Sequence, residues 1–193
     1  MSMDADNTIS NPAMFCRQCE QTQDHIACRT VGICGKSPET SAMQDVLMQS
    51  VKSVALWAVA AREAGASADE MKDANSWTLS SVFATLTNVN FDESRIEDYI
   101  KEGMSIKRDL EEMVRAKGGV APDRDVARLD LSKMHTLELE DFGRSISIPE
   151  LQKAMGDNDC FSLVEVGPYG SKGVCAHAAH CRQLGYMDES VMS

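Results

Sequence analysis

The sequence predicts a mainly α protein: an N-terminal Cys-rich loop, a three-helix bundle, a linker, and the start of a second helical bundle. Three observations carry this. Apolar residues recur at three-and-four spacing over long stretches of the middle of the chain. Helix start and stop signals fall at the ends of those stretches. Four of the seven cysteines crowd into nineteen residues near the N-terminus, where no hydrophobic period is sustained.

In chain order, residues 1–13 are polar and contain no Lys or Arg, which predicts a disordered extension rather than a secretory signal or a mitochondrial presequence. Residues 14–36 form the Cys-rich loop, with Gly32 and Gly35 in it. Its folding is expected to depend on whatever the cysteines bind. Residues 37–118 predict three helices. The first begins with Ser37 as cap and Pro38 at the first helical position, buries Met43, Val46, Leu47, Val51, Val54, Trp57, Ala58 and Ala61, and stops at Gly65. The second follows the capping-box pair Ser67 and Glu70, is expected to break near Asn75, and continues through Trp77, Val82, Phe83, Leu86 and Val89. The third starts at Asp92, turns Ile96, Tyr99, Ile100, Leu110, Met113 and Val114 inward, and ends at Gly118 and Gly119. Short connections make neighbours antiparallel, hence the bundle. Residues 119–148 hold Gly, Pro and many charges, and predict a linker or long loop with a short strand or helix around 126–139. Residues 149–193 predict a partial second bundle, interrupted at Gly167 and Pro168. Without partner helices this last segment is expected to expose an apolar stripe.

Composition narrows the function. Thirty acidic against nineteen basic residues give a net charge of −11, with no basic stripe for nucleic acid and nothing to attract an anionic membrane surface. No apolar run approaches the roughly 20 residues that span a bilayer. A cytoplasmic protein is expected, with an organellar location left open. Aromatics are only 5% of the chain, so Leu, Val, Ala and the twelve methionines must build the core.

The chemistry lies in Cys16, Cys19, Cys28 and Cys34, spaced C-x2-C-x8-C-x5-C. Thiolates are soft ligands that select zinc, Cu(I) and iron–sulfur clusters. Structural zinc usually takes two tight knuckles; here only the first pair is one. The wider second spacing suits a larger object. Arg17, Arg29 and Lys36 interleave with the cysteines, and cations beside thiolates stabilise an anionic cluster. The residues alone therefore point to an iron–sulfur cluster, with zinc as the alternative and an unligated or disulfide-bonded set as a third. The remaining thiols, Cys160, Cys175 and Cys181, read as packing or half-exposed groups. His177 and Cys181 share a helix face, yet a buried-cysteine helix explains them more simply. His25 in the loop could replace a thiolate, but four cysteines are already present.

The run Met14-Phe15-Cys16-Arg17-Gln18-Cys19-Glu20-Gln21-Thr22, then Gly32-Ile33-Cys34-Gly35-Lys36, with Glu39-Thr40 and Gln44-Asp45, resembles the N-terminus of the hybrid cluster protein family, also called prismane proteins or hydroxylamine reductases. Phe83 to Asp92 is similar to a second family segment, and Tyr169-Gly170-Ser171-Lys172-Gly173 with His180 and Leu184-Gly185-Tyr186 to a third. The resemblance implies a [4Fe–4S] cubane on Cys16, Cys19, Cys28 and Cys34 that relays electrons. It implies two three-helix bundles followed by two α/β domains, which hold a second, hybrid cluster that reduces hydroxylamine to ammonia, or nitric oxide. The ligands of that cluster lie beyond Ser193, so no catalytic residue is assigned here and the chain is expected to supply the relay domain only. A truncated gene product, a fragment or a non-catalytic remnant would each look like this. The implied partners are a redox protein as electron donor, and the missing C-terminal domains or a second chain. The alternative functions are a stand-alone electron-transfer or redox-sensing module, and a zinc-bound structural adaptor.

Overall fold

The computed structural model describes residues 13–186 apart from Ile26 and Thr87. The extension expected over 1–13 lies outside the described residues except for Ala13. The fold is mainly helical: α1 (Pro38–Glu63), α2 (Lys72–Ala84), α3 (Glu93–Ala116), α4 (Thr136–Ser145), α5 (Ile148–Met155) and α6 (Asn158–Gln183), with short 3-10 turns at Gln23–His25 and Asp125–Arg128.

Helix α1 is the central element and packs against α2, α3 and α4. It starts where the sequence signals place it: the Ser37 side chain accepts a hydrogen bond from the Thr40 N–H, with Pro38 in the first turn. Seventeen of its 26 residues are buried, which is why its apolar face is broad rather than a narrow stripe. Met43, Val46, Leu47 and Val54 have no exposed surface and meet Ile96 and Ile100 of α3 and Leu139 of α4 in one core. Asp92 caps α3 by accepting from the Arg95 N–H.

Trp77 of α2 is buried and donates its Nε1–H to the Tyr99 carbonyl, 3.0 Å away. Its ring fills the space that Gly103 leaves open on α3: a Cβ there would stand 2.2 Å from the ring. Trp57 is only partly buried, and its Nε1–H reaches the Ala127 carbonyl at 3.0 Å.

Three expectations are corrected. Asn75 does not break the second helix: α2 runs through it, because Asn75 turns its side-chain oxygen to Arg62 instead of competing for the backbone. Ser67 and Glu70 do cap each other, but they shape the turn before α2, which ends at Ala84 rather than near Val89. Pro168 does not interrupt the last segment either. The break falls at Gly156, whose φ of 70° is the left-handed turn open to glycine, and Asp157 then caps α6. Helix α6 continues through Pro168; the surrounding face is solvent-exposed, so water can satisfy the carbonyl that Pro leaves without a donor.

Residues 119–148, expected as a connection, contain α4, whose Leu139 is wholly buried and whose Gly143 lies against the α1 backbone at Ala42. The last segment also has a partner. Helix α6 packs on α2 through one face, with Phe161, Lys172 and Ala179 buried, while Leu163, Val164, Val166 and Val174 on its outer side are exposed.

Candidate metal centre

The Cys-rich loop folds back on itself and sits over the side of α1. A short antiparallel bridge pairs Cys16 with Cys28: the Cys16 N–H donates to the Cys28 carbonyl at 3.1 Å, and the Met14 N–H to the Arg29 carbonyl at 3.0 Å. Twelve residues apart in sequence, these two cysteines become neighbours. The second half of the loop closes through Gly32, whose N–H donates to the Lys36 carbonyl at 2.8 Å while its own carbonyl accepts from the Gly35 N–H. Gly35 takes a φ of 86°, which turns the chain from Cys34 into the start of α1. The Cys34 Sγ then lies 3.0 Å from where a Gly32 Cβ would stand. A side chain at Gly32 would press on that sulfur.

All seven cysteines are free. Cys28 is buried, and Cys16, Cys19 and Cys34 are half-buried. The loop aims donors at the sulfurs. The Ile33 N–H points at the Cys28 Sγ, 3.4 Å away, and the Lys36 ammonium is 3.6 Å from the Cys16 Sγ. Burial pushes the Cys19 thiol above its ordinary value, with the nearby Cys16 and Glu20 acting in the same direction. Among the described residues, no three His, Cys, Asp or Glu side chains form a group that could close on one metal ion.

Beneath the loop lies a polar core that the sequence did not announce. Arg17 and Gln18, between the first two cysteines, are both buried. Each donates to Oδ1 of Asp45 on α1, the Arg17 Nε at 3.1 Å and the Gln18 Nε2 at 2.6 Å. Burial lifts the Asp45 carboxyl above its ordinary value, and the Arg17 charge opposes that shift. Lys36 is 1% exposed and hydrogen-bonds Gln44 of α1, whose amide in turn donates to the Asn90 carbonyl.

From the far end of the chain α6 brings three more side chains: Glu165 within 3.5 Å of the Arg17 guanidinium, Tyr169 donating to the Cys19 carbonyl at 3.2 Å, and Lys172. Lys172 is 4% exposed. It donates to the Gln18 carbonyl at 3.2 Å, to the Gln18 side chain, and to the Thr85 hydroxyl at 2.8 Å. Burial first, and the neighbouring Lys36 charge second, hold its ammonium down at about 7.

A family model describing the Prismane/CO dehydrogenase family matches residues 14–193. The chain belongs to this family. Among curated proteins it is 36% identical over 178 residues to a hydroxylamine reductase of Microcystis aeruginosa, covering 92% of this chain and 31% of that relative. It is 35% identical over 178 residues to a hydroxylamine reductase of Methanosarcina mazei, covering 92% and 31%. It is 33% identical over 179 residues to a hydroxylamine reductase of Porphyromonas gingivalis, again covering 92% and 31%. The chain thus spans about a third of the length of the Prismane-family relatives it matches.

An iron–sulfur group suits this donor set on two observations. Four thiols are free, and a backbone N–H and an ammonium are aimed at two of them, donors of the kind that stabilise an anionic cluster. Nη2 of Arg17 is buried and has no hydrogen-bond acceptor among the described residues. Such an orphaned donor carries a desolvation cost unless an anion lies beside it.

The other sequence candidates fall elsewhere. His25 is exposed, with a positive φ of 58°, on the loop surface. Cys160 is exposed rather than half-exposed, because it lies in the first turn of α6, where only one face is covered. Cys175 packs against the helical core, His180 sits edge-on to the Phe83 ring at 5.4 Å, and Cys181 is exposed. Asp45, Glu165, Tyr169 and Lys172 were not singled out by the cysteine spacing. The i, i+4, i+7 spacing of the last three was the signal that could have found them. No described helix is long and apolar enough to cross a membrane.

Proposed function

We propose that Cys16, Cys19, Cys28 and Cys34 hold a [4Fe–4S] cluster and that this chain is the electron-relay part of an iron–sulfur oxidoreductase of the hydroxylamine reductase type. The observation that carries the reading is the loop itself: four free thiols, with a lysine ammonium and a backbone N–H aimed at two of their sulfurs, in a chain of the Prismane family. The family description and the relatives' names support an iron–sulfur oxidoreductase; the cubane and the relay role are the finer reading. A cubane bound here supplies a one-electron store.

The chain's own residues do the rest. The Cys16–Cys28 bridge brings two of the four cysteines side by side, and the Gly32–Lys36 turn holds the backbone around Cys34. The Ile33 N–H and the Lys36 ammonium aim hydrogen-bond donors at the Cys28 and Cys16 sulfurs, as a bound anionic cluster requires. Helix α1 gives the loop a rigid floor through Asp45 and Gln44.

Reduction of hydroxylamine to ammonia, or of nitric oxide, would take place on a second centre in further domains or a second chain. A separate redox protein would supply the electrons. The exposed apolar side of α6, at Leu163, Val164, Val166 and Val174, supports a covering partner.

Anaerobic reconstitution of the chain followed by a one-electron reductant tests this. The expected result is a coloured protein whose visible absorption bleaches on reduction and returns on oxidation, with no turnover of added hydroxylamine by this chain alone. A colourless protein that takes up zinc and neither iron nor labile sulfide contradicts the cluster. Turnover by the chain alone contradicts the relay role.

A further inference from the structure

The polar core under the loop gathers more basic side chains than carboxylates. The groups that act on one another there are Arg17, Lys36, Lys52 and Lys172 against Asp45 and Glu165: four cations and two anions. Arg17, Lys36, Lys172 and Asp45 are buried, and Glu165 and Lys52 are half-buried. This excess sits inside a chain whose overall charge is −11, so it is not a reflection of composition. Burying unpaired charge is costly and persists where an opposite charge is held nearby. The orphaned Nη2 of Arg17 is the same imbalance seen at one atom.

Of these cations, Lys172 is the one whose position most needs explaining. Helix α6 delivers it 154 residues away from Gln18, into the stretch between the first two cysteines. Glu165, Tyr169 and Lys172 stand at i, i+4 and i+7, hence on one face, and touch Arg17, the Cys19 carbonyl and Gln18 respectively. Three consecutive loop residues are therefore gripped by three successive turns of one helix. Glu165 pairs with the Arg17 guanidinium, and Tyr169 adds a hydrogen bond and no charge. Lys172 adds a buried amine that no carboxylate touches among the described residues: its hydrogen-bond acceptors are a carbonyl, an amide oxygen and a hydroxyl.

We propose that Lys172 is a positioning residue for the cluster, clasping the Cys16–Cys19 turn from α6 and supplying the buried positive charge that makes the bound group easier to reduce. The inference rests on the proposed iron–sulfur reading. Reduction adds one negative charge to the group, and a nearby buried cation favours the reduced form. Lys36 acts in the same direction from the other side of the loop through its contact with Cys16.

The test compares the wild-type chain with Lys172→Met, Lys172→Arg and Tyr169→Phe after anaerobic reconstitution. Iron and sulfide content come first, then the midpoint potential by redox titration. Lys172→Met is expected to disfavour the reduced form about tenfold, a potential lower by about 59 mV for one electron. Lys172→Arg, which keeps the charge, and Tyr169→Phe, which removes a hydrogen bond and no charge, should stay within about twofold of wild type on the same one-electron scale. Lys172→Met that fails to load while Lys172→Arg loads also supports the requirement for a cation. Wild-type potential in a loaded Lys172→Met protein overturns the inference, and so does equal failure of both variants to load, which marks a packing role only. A wild-type chain that takes up no iron or sulfide refutes the cluster reading itself, a distinct outcome.

Discussion

Gly143→Ala is the substitution whose cost can be worked most directly from the packing. Gly143 faces α1, and a Cβ built there would lie 2.3 Å from the Ala42 carbonyl oxygen, 2.7 Å from its carbon and 3.0 Å from its Cα. All three are backbone atoms of a long, deeply packed helix, so no flexible side chain can move aside. Ordinary contact begins about 1 Å further out, and a gap of that size forfeits a quarter to a half of each dispersion contact along the seam. Overpacking against backbone lies at the upper end of its usual range, about 3 kcal/mol. Replacing Gly by Ala inside a helix returns about 1 kcal/mol. The net loss is about 2 kcal/mol, which for a chain of this size lowers the melting temperature by about 4–8 °C. Thermal unfolding followed by circular dichroism measures it. Gly170→Ala in α6 is the control: nothing lies within 4 Å of a Cβ there, so the same change should leave stability equal or raise it by up to about 1 kcal/mol. If Gly143→Ala melts at or above wild type, α4 does not lie on α1 as described, and the packing of residues 119–148 must be reconsidered.

Further outcomes are expected at three positions. Cys19→Ser removes one of the proposed ligands and should make residues 14–36 sensitive to protease in the reconstituted chain, because metal binding contributes to the folding free energy of such a loop; unchanged cleavage there would refute that coupling. At the α1–α2 corner, the Ser67 N–H above all, with Lys117 and the Ser67 hydroxyl, holds the Glu70 carboxyl down at about 2 against an ordinary 4.5. A folded value below the unfolded one means the stabilisation is present above about pH 4.5 and is lost as pH falls towards 2. A carboxyl titration by NMR should find Glu70 well below its neighbours, and Glu70→Gln should remove that part of the acid sensitivity; titration at the ordinary value would contradict the cap. Gly32→Ala places a methyl 3.0 Å from both the Cys34 Sγ and the Lys36 Cβ, so it should reduce cluster occupancy while leaving the helical melt within about 1 kcal/mol of wild type. Full occupancy in that variant would show that Cys34 has room to spare.

What could be read from the sequence was local. Ser37 and Pro38 announced α1, and Asp92 announced α3, because a capping side chain bonds within three residues of itself. Gly118, with its positive φ, marked the end of α3 because glycine takes the left-handed turn at no steric cost. The four cysteines stand out in the sequence because their spacing is short, and the structure pairs Cys16 with Cys28. Where the reading failed, the deciding contact was distant or depended on exposure. Pro168 costs α6 one hydrogen bond, but the helix is exposed around it and water can reach the freed carbonyl. Gly156, not Pro168, takes the left-handed turn, and nothing in the hydrophobic pattern favoured one over the other. Helix α4 was legible only as a short strand or helix around 126–139, because it is short and charged, with Leu139 wholly buried. The grip of Glu165, Tyr169 and Lys172 on the loop spans about 150 residues of sequence. Such contacts are set by the packing of α6 on α2, which no window of sequence contains.

The most direct test of the central claim is the elemental ratio in the reconstituted, oxygen-shielded chain, compared with a variant lacking all four loop cysteines, Cys16, Cys19, Cys28 and Cys34. About four irons and four labile sulfides per wild-type chain, and neither in the variant, is the predicted result. One tightly held zinc per chain without sulfide, or iron retained after the four thiols are gone, would contradict it.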